Sequence, residues 1–231
     1  MKSIFITVFY NTPHEDQKRL QKQVSDLGFD GFDSVDHTES KKGYAEGINL
    51  LLKKHINDFD IFFVANPDID ISSLQKGTFM DAVSKLDIWG YAMRQDGKIY
   101  YGGRIDPMRM SGGLLVGKSG ERFTGVDFVS GSLMAIRKNV IEKIGYFDET
   151  FGMYYEDVEY CYRAKKNGFS VGIDTENIYS HFEDSKTNPV KSRFLAKNRM
   201  KFLWQHGNLK QKLYEVIRLP KTLLEEKGNL L

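Results

Sequence analysis

A chain of 231 residues, 41% hydrophobic and 28% charged, favours one domain and can bury a sizeable core without disulfide or metal staples. Its 33 Lys and Arg nearly cancel its 31 Asp and Glu, which excludes the broad basic field that nucleic acid requires. A single cysteine, Cys161, excludes an internal disulfide framework and fits a reducing, cytoplasmic compartment.

Residues 4–10, Ile-Phe-Ile-Thr-Val-Phe-Tyr, form a near-continuous apolar run, the pattern of a strand buried on both faces. The run is too short and too early for a signal peptide, and no segment has the length of a membrane span. Thr12-Pro13-His14-Glu15 reads as a capping box with proline in the first helical position, and Leu20, Val24 and Leu27 keep helical spacing up to Gly28. A short strand over 32–35 ends at Asp36. A second helix carries Ala45, Ile48, Leu51 and Leu52 on its apolar face, and a buried strand over 60–65 is stopped by Asn66-Pro67-Asp68. Strand, helix, strand, helix, strand is the order of parallel crossover units. Ligands bind beyond the carboxyl ends of such strands, where Tyr10, Asp36 and Asn66-Pro67-Asp68 all fall.

Residues 88–94 and 98–101 flank Gln95-Asp96-Gly97, a hairpin signal. Glycines 102, 103, 112, 113, 117 and 120 then predict a loop-rich, mobile stretch, without the spacing of a phosphate loop. A strand is expected over 133–136, a short helix up to Gly145, a stronger helix over about 155–167 and a strand over 169–173. From Phe194 onward the chain reads as an amphipathic helical tail interrupted at Pro220. The expected division is a nucleotide-binding half over about 1–120, an acceptor and catalytic half over about 121–193, and the tail over about 194–231.

Three places carry chemistry. Asn66-Pro67-Asp68-Ile69-Asp70 reads, taken alone, as a turn that caps a helix beginning near Ser72, and it also suits a divalent cation bridging a diphosphate. Glu156-Asp157-Val158-Glu159 opens a helix whose last turn holds Arg163, Lys165 and Lys166, an order that complements the macrodipole. The aromatic residues of 146–155 around it suit a desolvated carboxylate acting as a base. His181 reads as a packing residue or a ligand, whereas His14, His37, His55 and His206 read as surface residues. No two histidines have zinc-ligand spacing, and Cys161 is expected to be buried in its helix.

The segments Phe128-Val129-Ser130-Gly131-Ser132-Leu133-Met134, Gly145-Tyr146-Phe147-Asp148-Glu149 and Tyr154-Tyr155-Glu156-Asp157-Val158-Glu159-Tyr160-Cys161-Tyr162-Arg163 closely resemble the family 2 glycosyltransferases. The branch they look like is the bacterial rhamnosyltransferase-like one, which builds cell-surface polysaccharides. Gly43-Tyr44-Ala45-Glu46-Gly47, Asn66-Pro67-Asp68 in place of a DxD motif, Asp96-Gly97-Lys98-Ile99 with Gly102-Gly103, and His181 with Ser185 extend the likeness. The resemblance implies a GT-A fold, a mixed and mostly parallel α/β sheet flanked by helices. It also implies a nucleoside-diphosphate sugar donor (dTDP-rhamnose or a UDP-sugar), a glycan or lipid-linked acceptor, a Mn2+ or Mg2+ cofactor and inversion at the anomeric carbon. Asp157 then matches the catalytic base with Glu156 beside it, Asp68 and His181 the metal ligands, and Val8, Tyr10, Asp36 and Asn66 the nucleotide site. Whether Asp70 joins Asp68 stays open. His37 and Lys41 depart from the family pattern, so the choice of nucleobase stays open too. Other readings are a nucleotidyltransferase, which would need a basic glycine-rich loop after the first strand, and an inactive nucleotide-sugar-binding subunit of a polysaccharide assembly complex. The tail, with Lys201, Lys210, Lys212, Arg218 and Lys221 among apolar residues, is expected either to lie on an anionic membrane or to pack on the domain.

Overall fold

The computed structural model describes residues 1–40, 42–75, 78–118, 120–182 and 189–225. Lys41, Ser185 and the last six residues of the expected tail lie outside the described residues.

β1 (Ser3–Phe9) is buried along its whole length. It pairs in parallel with β2 (Gly31–Asp36), reached through α1 (His14–Leu27), and with β3 (Ile61–Ala65), reached through α2 (Tyr44–His55). The period-two geometry of a strand sends Ile4, Ile6 and Val8 into one core layer and Phe5 into the other, and β3 repeats this with Phe62 and Val64 against Ile61, Phe63 and Ala65. Leu20, Val24 and Leu27 of α1 cover the second layer, and Ala45, Ile48, Leu51 and Leu52 of α2 cover the first. Gly28 closes α1 in the left-handed conformation, at φ 76°. The expected capping box does not form: Pro13 is the cap, and the Thr12 hydroxyl instead accepts the Tyr10 N–H at 3.2 Å.

No helix begins near Ser72. The chain makes a two-residue strand, β4 (Ile69–Asp70), then turns and a 3₁₀ segment at Asp81–Ser84. β5 (Ile88–Gln95) and β6 (Lys98–Ile105) form the expected hairpin, with Asp96 and Gly97 both at positive φ. The glycine-rich stretch is more ordered than its composition implies. β6 runs through Gly102 and Gly103 and pairs with β7 (Gly112–Val116); glycine stands at these two positions because an added side chain would strike Val126 or Phe128.

β8 (Phe123–Gly125) precedes β9 (Leu133–Arg137), which enters antiparallel between β3 and β5. α3 (Lys138–Ile144) and α4 (Glu156–Lys166) then lead to β10 (Val171–His181), longer than its sequence suggests. Its polar middle is buried rather than looped out. Asp174, fully buried, takes hydrogen bonds from Arg122 at 3.0 and 3.2 Å and from Asn177 at 2.8 Å across a register shift. The sheet order is β2-β1-β3-β9-β5-β10-β4. β2, β1, β3, β5 and β10 point the same way, and β9 and β4 the other. Strands from the two expected halves therefore interleave in one sheet.

The tail begins earlier than Phe194, as α5 (Pro189–His206), and breaks at Gly207-Asn208 before α6 (Leu209–Glu225). Pro220 lies inside α6 and does not interrupt it. The loss of one backbone bond is offset there by Thr222 and Glu215 bonding at 2.7 Å and Arg218 and Glu225 at 2.6 Å. Among the described residues no helix is long and apolar enough to cross a membrane.

Candidate functional site

The parallel strands end on one side of the sheet, and their ends build a crevice. After β1, Asn11 takes a positive φ of 49° and donates its N–H to the Thr38 hydroxyl at 2.9 Å. Thr38 in turn donates its N–H to Asp36 Oδ1 at 2.8 Å, so the loops after β1 and β2 are laced together. Hydrogen bonds from Thr38, side chain first and then backbone, hold the Asp36 carboxyl below its ordinary range. Asp36 is opposite Phe9 in the ladder, which sets it beside Tyr10, half-exposed at the rim. Val8 lies beneath, a core residue packed toward Gly47 of α2. A Cβ on Gly47 would fall 2.5 Å from Val8 Cγ2 and 2.9 Å from His37 Cε1. That space lets His37 bury to 4% exposure, contrary to the surface position expected for it.

The loop after β3 forms one acidic corner. Asn66 donates its N–H to the Ser132 carbonyl at 3.1 Å, and its Nδ2 lies 3.5 Å from His181 Nε2. Antiparallel pairing of β4 with the end of β10 sets His181 opposite Ile69 and brings its Nε2 within 3.3 Å of Asp68 Oδ1. Burial would raise the Asp68 carboxyl, but the hydrogen bond and charge of His181 outweigh it and keep it below its ordinary value. Asp70 is engaged elsewhere: its Oδ1 accepts from Gln23 Nε2 and from the Ser72 N–H, each at 2.9 Å. The two residues expected to share a cation are thus neighbours. Among the described residues, no group of three His, Cys, Asp or Glu could hold one alone.

The second acidic corner is the start of α4. Tyr154 and Tyr155 both adopt left-handed backbone, at φ 66° and 75°, an uncommon and costly conformation for aromatic residues. Asn198 of α5 pins it by donating Nδ2 hydrogen bonds to the carbonyls of Phe151, Met153 and Tyr154 at 2.8–2.9 Å. The Tyr155 hydroxyl accepts the Gly112 N–H at 3.0 Å. This turn aims α4 so that Asp157 Oδ2 accepts the Gly131 N–H at 2.9 Å, while Oδ1 accepts from Val158 at 2.8 Å. Burial raises the Asp157 carboxyl against those two amides. Burial first, and then the charge of Asp157, push Glu156 up to about 8. Glu156 is the more deeply buried of the two, and its Oε2 has no hydrogen-bond partner.

Glu159 belongs to the scaffold. It accepts from Arg163 at 2.8 Å and lies 3.2 Å from His206 Nε2, tying α4 to α5. Cys161 is fully buried, as expected, and burial pushes its thiol up, away from reactivity.

Sequence reasoning assigned no role to Tyr44, Gly131 or Asn198. The Tyr44 hydroxyl donates to the Gly131 carbonyl at 3.1 Å. Burial, and then the charges of Glu156, Asp157 and Asp68, raise its phenol, so Tyr44 stands within reach of both acidic corners. Gly131 packs closely on the carboxylate, since an added Cβ would lie 3.3 Å from Asp157 Cβ. The small triplet Ser130-Gly131-Ser132 just ahead of a strand was the available signal. None of the residues singled out for nucleotide, metal or catalysis lines the two cavities of ≈ 370 and ≈ 650 Å³, which lie beside β6 and β7.

No protein-family model matches the chain. Over 47 residues it is 49% identical to a Haloferax volcanii protein named low-salt glycan biosynthesis hexosyltransferase Agl10, covering 20% of this chain and 15% of that one. Over 169 residues it is 26% identical to the Mycobacterium tuberculosis N-acetylglucosaminyl-diphospho-decaprenol L-rhamnosyltransferase, covering 63% of this chain and 54% of that one. The chain thus spans about half the length of the second relative and less of the first. Among solved structures, GalNAc-T7 with UDP, GalNAc and Mn2+ superposes with a TM-score of 0.71 at 11% identity, over 98% of this chain and 54% of that one. The mannosyltransferase PcManGT from Pyrobaculum calidifontis, with GDP-Man and Mn2+, gives 0.63 at 12% identity, over 99% and 74%. The fold is GT-A, and the relatives bear out the resemblance to glycosyltransferases read from the sequence.

Proposed function

We propose that the chain is an inverting glycosyltransferase of the family 2 type. It would move a sugar from a nucleoside-diphosphate donor, dTDP-rhamnose or a UDP-sugar, to a glycan or lipid-linked glycan during cell-surface polysaccharide synthesis. The observation that carries this reading is the pairing of two oppositely tuned carboxylates around one crevice, Asp68 held ionised beside His181 and Asp157 made more basic by burial. The rhamnosyl- and hexosyltransferase relatives agree with it.

In this reading the donor base and ribose lie over the ends of β1, β2 and β3, at Tyr10, Asp36 and Asn66. Asp68 and His181 offer a hard carboxylate oxygen and an imidazole nitrogen, a donor set that fits Mn2+ or Mg2+, with the remaining positions left to donor oxygens and water. A divalent cation there would neutralise charge growing on the leaving diphosphate. The acceptor hydroxyl oxygen bonds to the anomeric carbon as the bond to the diphosphate oxygen breaks, and the hydroxyl proton passes to Asp157 in a single displacement. The Gly131 and Val158 amides hold that carboxylate in one orientation, and Tyr44 fixes Gly131 from the other side. Burial and the charge of Asp157 favour the neutral form of Glu156, which keeps a second negative charge out of the corner.

The test is a melting-temperature screen of thymidine-, uridine- and guanosine-diphosphate sugars with manganese, followed by nucleotide release with a glycan acceptor. One donor class should raise the melting temperature, and release should stop in chelator. Indifference to every donor, or full turnover in chelator, would overturn the reading.

A further inference from the structure

α6 is amphipathic, but it is packed the wrong way round for a helix that completes a hydrophobic core. Its buried residues are Glu215, at 1% exposure, and Thr222, at 0%. Arg199, itself buried, donates to Glu215 at 2.9 Å, Thr222 bonds the same carboxylate, and Gln211 reaches the Pro107 carbonyl at 2.8 Å. The polar face is therefore the attached face. The other face carries Leu209, Leu213, Val216, Ile217 and Leu224, all exposed, with Ile217 at 82% and Leu224 at 80%.

At 100° per residue these five positions share one continuous arc. Lys210 and Lys221 border that arc on one side and Lys212 on the other, while Glu215 and Glu225, the acidic residues of the helix, lie on the opposite side. Glu225 is held there by Arg218 at 2.6 Å. Trp204 of α5 extends the patch: it is half-exposed, with the Lys212 ammonium 5.9 Å from its ring centre. An apolar stripe edged by lysines on both sides, with an interfacial tryptophan, is the charge and shape pattern that matches anionic headgroups over acyl chains. A two-fold pairing with a second copy would instead set lysine rows against lysine rows, with no acidic residue on the stripe to meet them.

We propose that α6 is an interfacial helix that seats this protein in-plane on an anionic lipid bilayer, its polar face bolted to the enzyme body. The seat lies close to the catalytic corner through one loop. Gln211 binds the Pro107 carbonyl, and Gly112, at the far end of that loop, binds the Tyr155 hydroxyl next to Glu156. The value of this placement for a lipid-linked acceptor rests on the function proposed above, whereas bilayer binding does not, so the two fail separately.

The experiment is flotation of the full chain with vesicles of phosphatidylcholine alone or with about one third phosphatidylglycerol. Binding should require phosphatidylglycerol and fall at least tenfold as salt is raised to about 0.5 M. Ile217→Glu and Leu213→Glu, both at exposed positions, should each lower binding at least tenfold with an unchanged melting temperature. Lys210→Glu, Lys212→Glu and Lys221→Glu together should abolish it. Equal binding by Ile217→Glu, indifference to phosphatidylglycerol, or no binding at all would overturn the proposal. So would a lipid-free dimer that Ile217→Glu dissociates.

Discussion

The two acidic corners of the crevice use the same kind of side chain and are driven in opposite directions. At the β3 end, Asp68 has a basic partner, His181, 3.3 Å away, and its carboxyl is held down. At the start of α4, Glu156 and Asp157 form no ion pair among the described residues. Asp157 accepts backbone amides, those of Gly131 and Val158 among them, but burial dominates and both carboxyls rise. A helix N-terminus ordinarily lowers a carboxyl. Here desolvation outweighs it because the left-handed Tyr154-Tyr155 turn drives the first residues of the helix inward. The lesson is that an acidic residue's role follows from what neutralises it: a partner suits it to hold a cation, and the lack of one suits it to take a proton.

Each corner can be broken separately. The largest effect is expected from Asp157→Asn, which keeps size and most hydrogen bonds but cannot accept a proton. Transfer should fall by roughly a hundredfold to a thousandfold, with donor and manganese binding kept in titrations. Near-normal turnover would move the base elsewhere, and loss of donor binding would make Asp157 structural. Asp68→Asn should lower transfer by about ten- to a hundredfold at limiting manganese, with partial recovery at high metal. A defect independent of metal concentration would separate Asp68 from the cation.

Glu156→Gln probes the comparison through stability. The carboxyl moves from an ordinary 4.5 to about 8 on folding, so the folded state favours its neutral form. That contribution is complete below pH 4.5 and is lost as pH rises toward 8. The variant should match the parent at low pH and exceed it above pH 8, with the gap opening as pH rises from 4.5, read from melting temperature against pH. The smallest effect is expected from Gly131→Ala. Its Cβ would press Asp157 at 3.3 Å, shifting that carboxylate by tenths of an ångström. Turnover should fall about three- to tenfold with a nearly unchanged melting temperature.

Much of this arrangement is legible in the sequence. The apolar runs of β1 and β3 announced a sheet covered on both faces, and Asp96-Gly97 announced the β5–β6 hairpin. The family resemblance pairs Asp68 with His181, and the two lie 3.3 Å apart. What stayed hidden was set by contacts distant in sequence. The second half of β10 reads as polar loop until Arg122 satisfies Asp174 from 52 residues away. β6 has glycines where strand propensity would be sought, and the Val126 methyls against Gly102 and the Phe128 ring against Gly103 explain why. The amide that orients Asp157 lies 26 residues upstream. α6 was recognised as basic and amphipathic, but which face it would bury depended on Arg199, a residue of another helix.

The antiparallel entry of β9 also bears on how the chain reaches this structure. β3 pairs with β9 across about 70 residues, from Ala65 with Leu133 to Ile61 with Arg137, and β5 waits for β10 across a similar span. Loop closure of that length must precede the contacts that reward it, so the centre of the sheet forms slowly. As the chain emerges in order from the ribosome, β1, β2 and β3 can assemble first, and they present Ile61–Ala65 as an apolar strand with one open edge. Until β9 arrives, that edge is the part of the nascent protein most exposed to mispairing, and the same insertion that shapes the mature crevice closes it.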